Sequence, residues 1–279
     1  MSKNFVLITS QKEKIRITTY GYENAGNVPC IILVHGFKGF KDWGFGPYIG
    51  KFLSEKGFFV ITFNFSHNGV GDSLTEFTEL DKFANNTFSL EINVLNEIIS
   101  AYLNRYFCNA INNKIGLLGH SRGGAISILS GSKNNSVNAV ATWAAVSKLD
   151  RYSEIQKEKW REKGVFEVLN TRTNQVMKLN VCLLEDIEKN GESYLNIEKS
   201  VKNLNKPFLI AHGKQDLAVP FEEAEKIFEW AGKKNTEFYS IDSTGHTFDI
   251  QHPFKGSNQK FDALLNKTSE FFKSNLMRK

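Results

Sequence analysis

Cysteine is scarce in this chain. Cys30, Cys108 and Cys182 are odd in number, widely scattered and form no CxxC pair. They give no basis for a disulfide framework and read as reduced thiols packed as small hydrophobes in a reducing compartment. An excess of one charge is also missing. The 35 basic and 30 acidic residues are spread along the chain for a formal charge of +5, and no basic block carries interleaved aromatics. Nucleic acid is therefore excluded as a partner. No apolar run approaches the roughly 18 residues of a membrane span. The opening "MSKNFVLITSQKEKIRI" lacks the apolar stretch and small-residue cleavage site of a secretory signal. Internal repeats and low-complexity segments are absent too. Together these absences predict a soluble cytoplasmic protein.

What is present is enough for one sizeable core with a modest insertion: 279 residues, 41% of them hydrophobic, with 23 Phe and 4 Trp. "FVLITS" and "KIRITTYGY" predict an initial β-hairpin. Short apolar runs then alternate with helical patterns. "CIILVHG", "FFVITFNF", "KIGLLGHS" and "NAVATWAAV" read as buried strands. Between them, "YIGKFLSEKG" has helical spacing, and Leu90, Val94, Leu95, Ile98, Ile99 and Leu103 form one helical stripe. After a break the alternation resumes with "PFLIAHG", "PFEEAEKIFEWAGKK", "TEFYSID" and "QKFDALLNKTSEFFKSNL". The pattern predicts an α/β fold, a mainly parallel, doubly wound sheet with helices on both faces. Residues 1–147 and 204–279 would form its core. The charged stretch 148–203, helical at its ends with a hairpin in the middle, would be an inserted cap over the strand ends, where such folds bind ligands.

Gly119-His120-Ser121-Arg122-Gly123 follows a predicted strand and opens a predicted helix. In such a corner a serine can expose its Oγ only if the residues two before and two after lack side chains, which both glycines satisfy. A serine hydroxyl is a weak nucleophile and needs a base. His246, just after the last predicted strand, is the leading candidate among six histidines. His252, in "QHPF", competes but reads as a turn residue. The carboxylate to orient the base is expected at Asp216, delivered by the strand end "FLIAHGKQD". Asp242 is the alternative, too close to His246 in sequence to reach around its ring. The order Ser121, Asp216, His246 is the one this architecture requires. Two backbone N–H groups must hold an oxyanion: Arg122, from the serine turn, and Phe37, in the loop after "ILVHG". That loop lacks the Gly-Lys-Ser/Thr ending of a phosphate loop, so nucleotide binding is discounted.

The motifs "VHGFKGF", "GHSRGG", "HGKQDLAVP" and "STGHTF" resemble those of the α/β-hydrolase superfamily, over most of the chain from about Cys30 onward. Within it the chain is similar to small bacterial serine esterases, both cinnamoyl/feruloyl-esterase-like and dienelactone-hydrolase-like. Dienelactone hydrolases proper carry a cysteine nucleophile, where this chain has Ser121. The resemblance implies Ser121, Asp216 and His246 as catalytic triad and Phe37 and Arg122 as oxyanion donors. It also implies cleavage of carboxylic esters through an acyl-enzyme, without metal or organic cofactor, on a small-molecule ester. Amide cleavage by the same triad, or a non-catalytic binding role, are the alternatives. Trp160, Phe166 and Met177 of the insertion are candidates for lining the substrate pocket, or else form the insertion's own small core.

Overall fold

The structure is a computed structural model that describes all residues except 74, 278 and 279. Its eight-stranded sheet has the order β1-β2-β4-β3-β5-β6-β9-β10. The strands are β1 (Ser2–Ile8), β2 (Lys14–Tyr20), β3 (Cys30–Val34), β4 (Phe59–Phe63), β5 (Ile115–His120), β6 (Val137–Trp143), β9 (Phe208–Gly213) and β10 (Thr236–Ile241). The hairpin β1–β2 joins β4 antiparallel, and all pairings from β4 to β10 are parallel. The mainly parallel sheet read from the sequence is thus the one observed.

Strand periodicity sorts the core onto two faces. Ile31, Leu33, Val60, Leu118 and Leu209 pack with Ile49 and Leu53 of α1 (Gly46–Glu55) and with Phe261, Leu265 and Phe272 of α9 (Gln259–Leu276). Ile32, Val34, Ile61, Leu117 and Ile210 pack with α3 (Phe88–Leu103), α4 (Arg122–Lys133) and α8 (Phe221–Ala231). Along α3 the buried stripe is rotated from the expected one. Ile92 and Tyr102 are buried while Leu90 and Leu103 lie at its margin, because the helix packs against both the sheet and α4. A short α2 (Leu80–Ala84) precedes α3 and was not evident in the sequence pattern.

Between β6 and β9 the chain forms α5 (Glu154–Lys163), the antiparallel hairpin β7 (Val165–Asn170) and β8 (Gln175–Asn180), α6 (Val181–Asn190) and α7 (Ile197–Lys202). A capping box between Ser153 and Gln156 starts α5, and Gly164 in the left-handed region ends it. Ser89 Oγ donates to Asp186 at 2.5 Å, and Asn180 donates to Asn85 at 2.9 Å, fastening this segment to the α2–α3 region. The chain turns back between β4 and β5, so the sheet's switch point lies between β3 and β5. Ligands bind at such points, outside the carboxyl ends of the strands.

Candidate active site

Ser121 caps α4 at the end of β5 with φ 58° and ψ −124°. That left-handed corner is strained for a residue with a side chain. Its neighbours explain how the strain is accommodated. A Cβ on Gly119 would meet Gly123 O at 2.3 Å, and one on Gly123 would meet Val34 O at 2.2 Å. Only glycine allows α4 to approach β3 and β5 so closely. The Ser121 N–H donates to Trp143 O at 2.8 Å and its carbonyl accepts from Gly124 N at 2.9 Å, which fixes the corner. Arg122 is the first residue of α4, so its N–H has no partner within the helix.

Asp216 lies beyond β9 with its carboxylate fully buried. Oδ1 accepts from the Ala218 and Val219 amides, both at 2.9 Å, and Oδ2 accepts from His246 Nδ1 at 2.7 Å. His212, on β9 and wholly buried, has its Nε2 3.3 Å from the same Oδ2 while that nitrogen donates to Val219 O at 2.8 Å. Burial by itself would raise the carboxyl's pKa. The hydrogen bonds from His212 and His246, with that from the Val219 amide, outweigh it and hold Asp216 well below the usual carboxylate range. Ionised Asp216 keeps the His246 proton on Nδ1 and leaves Nε2 free to act as a base.

His246 stands in the loop after β10, and its main chain is held from beneath. His120 Nε2 donates to His246 O at 2.8 Å, with the two rings 4.8 Å apart. Burial, and then the neighbouring His246, lowers the His120 pKa to about 3, so this donor stays neutral. Ser121 and His246 line two cavities in common, of about 250 and 320 Å³. Among the described residues no hydrogen bond reaches Ser121 Oγ. The structure therefore brings Ser121 and His246 to shared walls without closing the bond between them, a looseness common in unliganded sites.

The loop after β3 approaches the serine from the other side. Gly36 O accepts from His35 Nδ1 at 2.9 Å and from Gly39 N at 3.0 Å. His35 Nε2 accepts from Phe65 N at 3.2 Å, which assigns the proton to Nδ1. A trans peptide points its N–H opposite to its C=O, so the Phe37 N–H is directed away from these two donors. Gly36 itself adjoins the serine, since a Cβ there would lie 2.9 Å from Ser121 Cβ. The Phe37 ring is held between the Arg122 guanidinium, 4.0 Å from its centroid, and Phe83, stacked at 5.6 Å. Arg122 in turn faces Glu91 at 3.4 Å.

The smaller cavity has an aromatic wall of Phe40, Trp43 and Phe45, completed by Asn170, Thr171 and Arg172 of the hairpin tip. The larger is lined by Phe88, Val146, Tyr152 and Val219 with Arg122 and Arg151. Trp160, Phe166 and Met177 line neither. Trp160 and Met177 are wholly buried, and Trp160 packs on Phe166 at 5.2 Å and donates Nε1 to Leu179 O at 2.9 Å. These side chains pack into the core that this segment shares with the sheet and its helices, and the polar tip 170–172 reaches the cleft instead. Of the competing candidates, His252 Nδ1 accepts from Gly44 N at 3.0 Å, with its ring packed on Phe40 and Trp43, and Asp242 pairs with Lys214 at 2.8 Å; neither lines Ser121's cavities. His35, His120 and His212 were not singled out by the sequence reading, although each stands in a quoted motif.

Comparison with known proteins follows the same lines. The dienelactone hydrolase family matches residues 15–165, and the BAAT/acyl-CoA thioester hydrolase C-terminal family matches residues 101–265, each more than half of the chain. No curated protein matches by sequence. Among solved structures, ferulic acid-bound Est1E from Butyrivibrio proteoclasticus superposes with a TM-score of 0.72 at 18% identity, over 98% of this chain and 100% of that one. The α/β hydrolase GrgF from Penicillium sp. sh18 gives 0.69 at 16% identity, covering 100% of both chains. The Pyrococcus furiosus esterase Pf2001 gives 0.64 at 18%, over 99% of this chain and 91% of that one. At such identities the structures share the fold.

Proposed function

The chain belongs to the dienelactone hydrolase family and to the BAAT/acyl-CoA thioester hydrolase C-terminal family, within the α/β-hydrolase superfamily, and from that premise we propose that it is a serine carboxylesterase with Ser121 as nucleophile, His246 as base and Asp216 as the base's carboxylate. Its membership makes it a hydrolase acting on ester bonds; the assignment of residues is the proposal. The observation that carries it is the 2.7 Å bond from His246 Nδ1 to buried Asp216, with Ser121 on the walls of the same two cavities.

In this reading His246 Nε2 takes the Ser121 Oγ proton as Oγ attacks the ester carbonyl carbon. The carbonyl oxygen becomes an oxyanion held by the Phe37 and Arg122 N–H groups, each donor lowering the barrier by about 3 kcal/mol. Collapse breaks the bond to the alcohol oxygen, which leaves with the proton from His246, and Asp216 stabilises the imidazolium in between. Water then repeats the sequence on the acyl-enzyme. Two cavities meeting at Ser121 suit an acyl group on one side and an alcohol on the other. The aromatic wall of Phe40, Trp43 and Phe45 favours an aryl group, in keeping with the ferulic acid held by Est1E. Residues 148–203 act as the cap of this site. Three unpaired thiols support a reducing, cytoplasmic setting, and no helix among the described residues is long and apolar enough to cross a membrane.

Ser121→Ala is expected to abolish hydrolysis of chromogenic short-chain and feruloyl esters and labelling by a fluorophosphonate, while unfolding as the wild type does. Wild-type turnover in that variant would overturn the proposal.

A further inference from the structure

The turn that carries the Phe37 amide contains a conformation its sequence does not favour. Gly39 N closes the turn onto Gly36 O at 3.0 Å, and the residue between Phe37 and Gly39 is Lys38, at φ 53°. Glycine or asparagine is the usual occupant of the left-handed region, and a long side chain there is strained. Strain of this kind persists only where the surroundings over-determine it.

Here the restraint comes from the β7–β8 hairpin. Lys38 Nζ donates to Leu169 O at 3.1 Å, across 131 residues of chain. In the opposite direction the Arg172 guanidinium donates to Lys38 O. The strained residue is thus gripped at its main-chain carbonyl and at the end of its side chain by the same hairpin tip. The tip is itself fixed. The Arg172 guanidinium lies 5.6 Å from the Trp43 ring centroid, and Asn170 Oδ1 accepts from Arg172 N at 3.3 Å, folding the tip into a side-chain-closed turn. Gln175 Nε2 donates to Phe77 O at 3.2 Å, so the hairpin rests on the segment before α2. That region also supplies Phe83, the ring stacked on Phe37.

We propose that the β7–β8 tip braces the oxyanion turn, with Arg172 as a positioning residue that aims the Phe37 N–H through the carbonyl of Lys38. The inference rests on the esterase reading and adds to it a chemical role for the inserted segment beyond that of a wall. An oxyanion donor works only within hydrogen-bond distance of the developing charge, and the bond weakens steeply as its angle departs from linear. Without Arg172, Lys38 relaxes toward negative φ and the turn samples orientations that leave the donor misaimed. Arg172 also lines the substrate cavity, so a simple binding role is the rival. It makes a different prediction, because loss of uniform binding raises KM and leaves kcat alone.

The test uses the full-length chain with Arg172→Ala, Lys38→Gly and the double variant, on a small neutral aryl ester. Arg172→Ala is expected to lower kcat about tenfold, a fraction of the loss from removing an oxyanion donor outright, with KM within about twofold. In the Lys38→Gly background the same change is expected to cost about twofold or less, because glycine occupies positive φ unaided. Arg172→Lys, which keeps a donor for the carbonyl, is expected to recover part of kcat and serves as the reference if the alanine variant folds poorly. Independently of any substrate, amide hydrogen exchange at Gly39 is expected to quicken in Arg172→Ala. Equal kcat losses in the two backgrounds, a loss confined to KM, or unchanged exchange would each overturn the brace. The exchange result stands even if no ester is turned over, and Ser121-dependent turnover stands even if Arg172 proves indifferent, so the two proposals fail separately.

Discussion

Replacing Asp216 by asparagine changes one oxygen to an NH₂ group where the structure leaves little freedom. Two backbone donors, Ala218 N and Val219 N, both at 2.9 Å, require an acceptor at the Oδ1 position. The amide oxygen must therefore take that place, and the NH₂ falls where Oδ2 was. There it meets two more donors, His246 Nδ1 at 2.7 Å and His212 Nε2 at 3.3 Å. His246 can relieve the clash by carrying its proton on Nε2 and accepting at Nδ1, which is the tautomer that cannot deprotonate Ser121. A tautomer error with geometry intact costs about 10⁴-fold in kcat in the well-studied serine protease triad, or about 5.4 kcal/mol at 1.36 kcal/mol per tenfold. Loss of the ionised acceptor from these buried hydrogen bonds, with the new NH₂ facing His212 Nε2, is expected to cost about 1–3 kcal/mol of stability. Steady-state kinetics on an aryl ester would show kcat collapsing with KM within a few-fold, and imidazole ¹⁵N shifts would report the proton on Nε2. A variant retaining kcat within about tenfold of wild type would refute the assignment of Asp216.

Two more expectations follow from the same geometry. Gly36→Ala places a Cβ 2.9 Å from Ser121 Cβ and 3.0 Å from His120 O; since neither neighbour can yield without moving the nucleophile corner, kcat should fall about 10- to 100-fold and stability by about 1–3 kcal/mol, and unchanged kinetics would show that this approach is not needed. His35 and His120, lowered to about 4 and about 3 chiefly by burial, are neutral when folded but protonate below about 6.5 when unfolded. Their stabilisation is therefore complete above pH 6.5 and is lost as pH falls toward the folded values, by roughly 2–4 kcal/mol between pH 7 and 5. Urea unfolding at pH 7, 6 and 5 measures this, and stability that rises on acidification contradicts it.

The part of the site legible in the sequence is the part that backbone geometry dictates. A serine at φ 58° between β5 and α4 admits only glycine at Gly119 and Gly123, and such requirements are written as residue types at fixed spacing. Asp216 was legible in the same way, as a polar residue at the end of an apolar strand. The supporting contacts were not, because they join loops through tertiary placement alone. Nothing in the spacing tells that the ring of His120 reaches the carbonyl of His246, or that Arg172 reaches that of Lys38. The role of the insertion's large side chains was open for a physical reason. Its apolar residues suit a pocket or a core equally well by type, and only tertiary placement decides which. Trp160 and Met177 are sealed inside, and the polar residues 170–172 face the cleft.

The chain order of the strands has a consequence for biosynthesis. In the proposed reading the serine corner, the oxyanion turn and the hairpin that grips it are all translated before β9, whereas Asp216 and His246 follow β9 and β10 at one side of the sheet. A chain in which β9 and β10 have not yet docked would, on that reading, hold Ser121 without its base. Docking of β9 and β10 onto the sheet is thus the step that would complete the proposed triad.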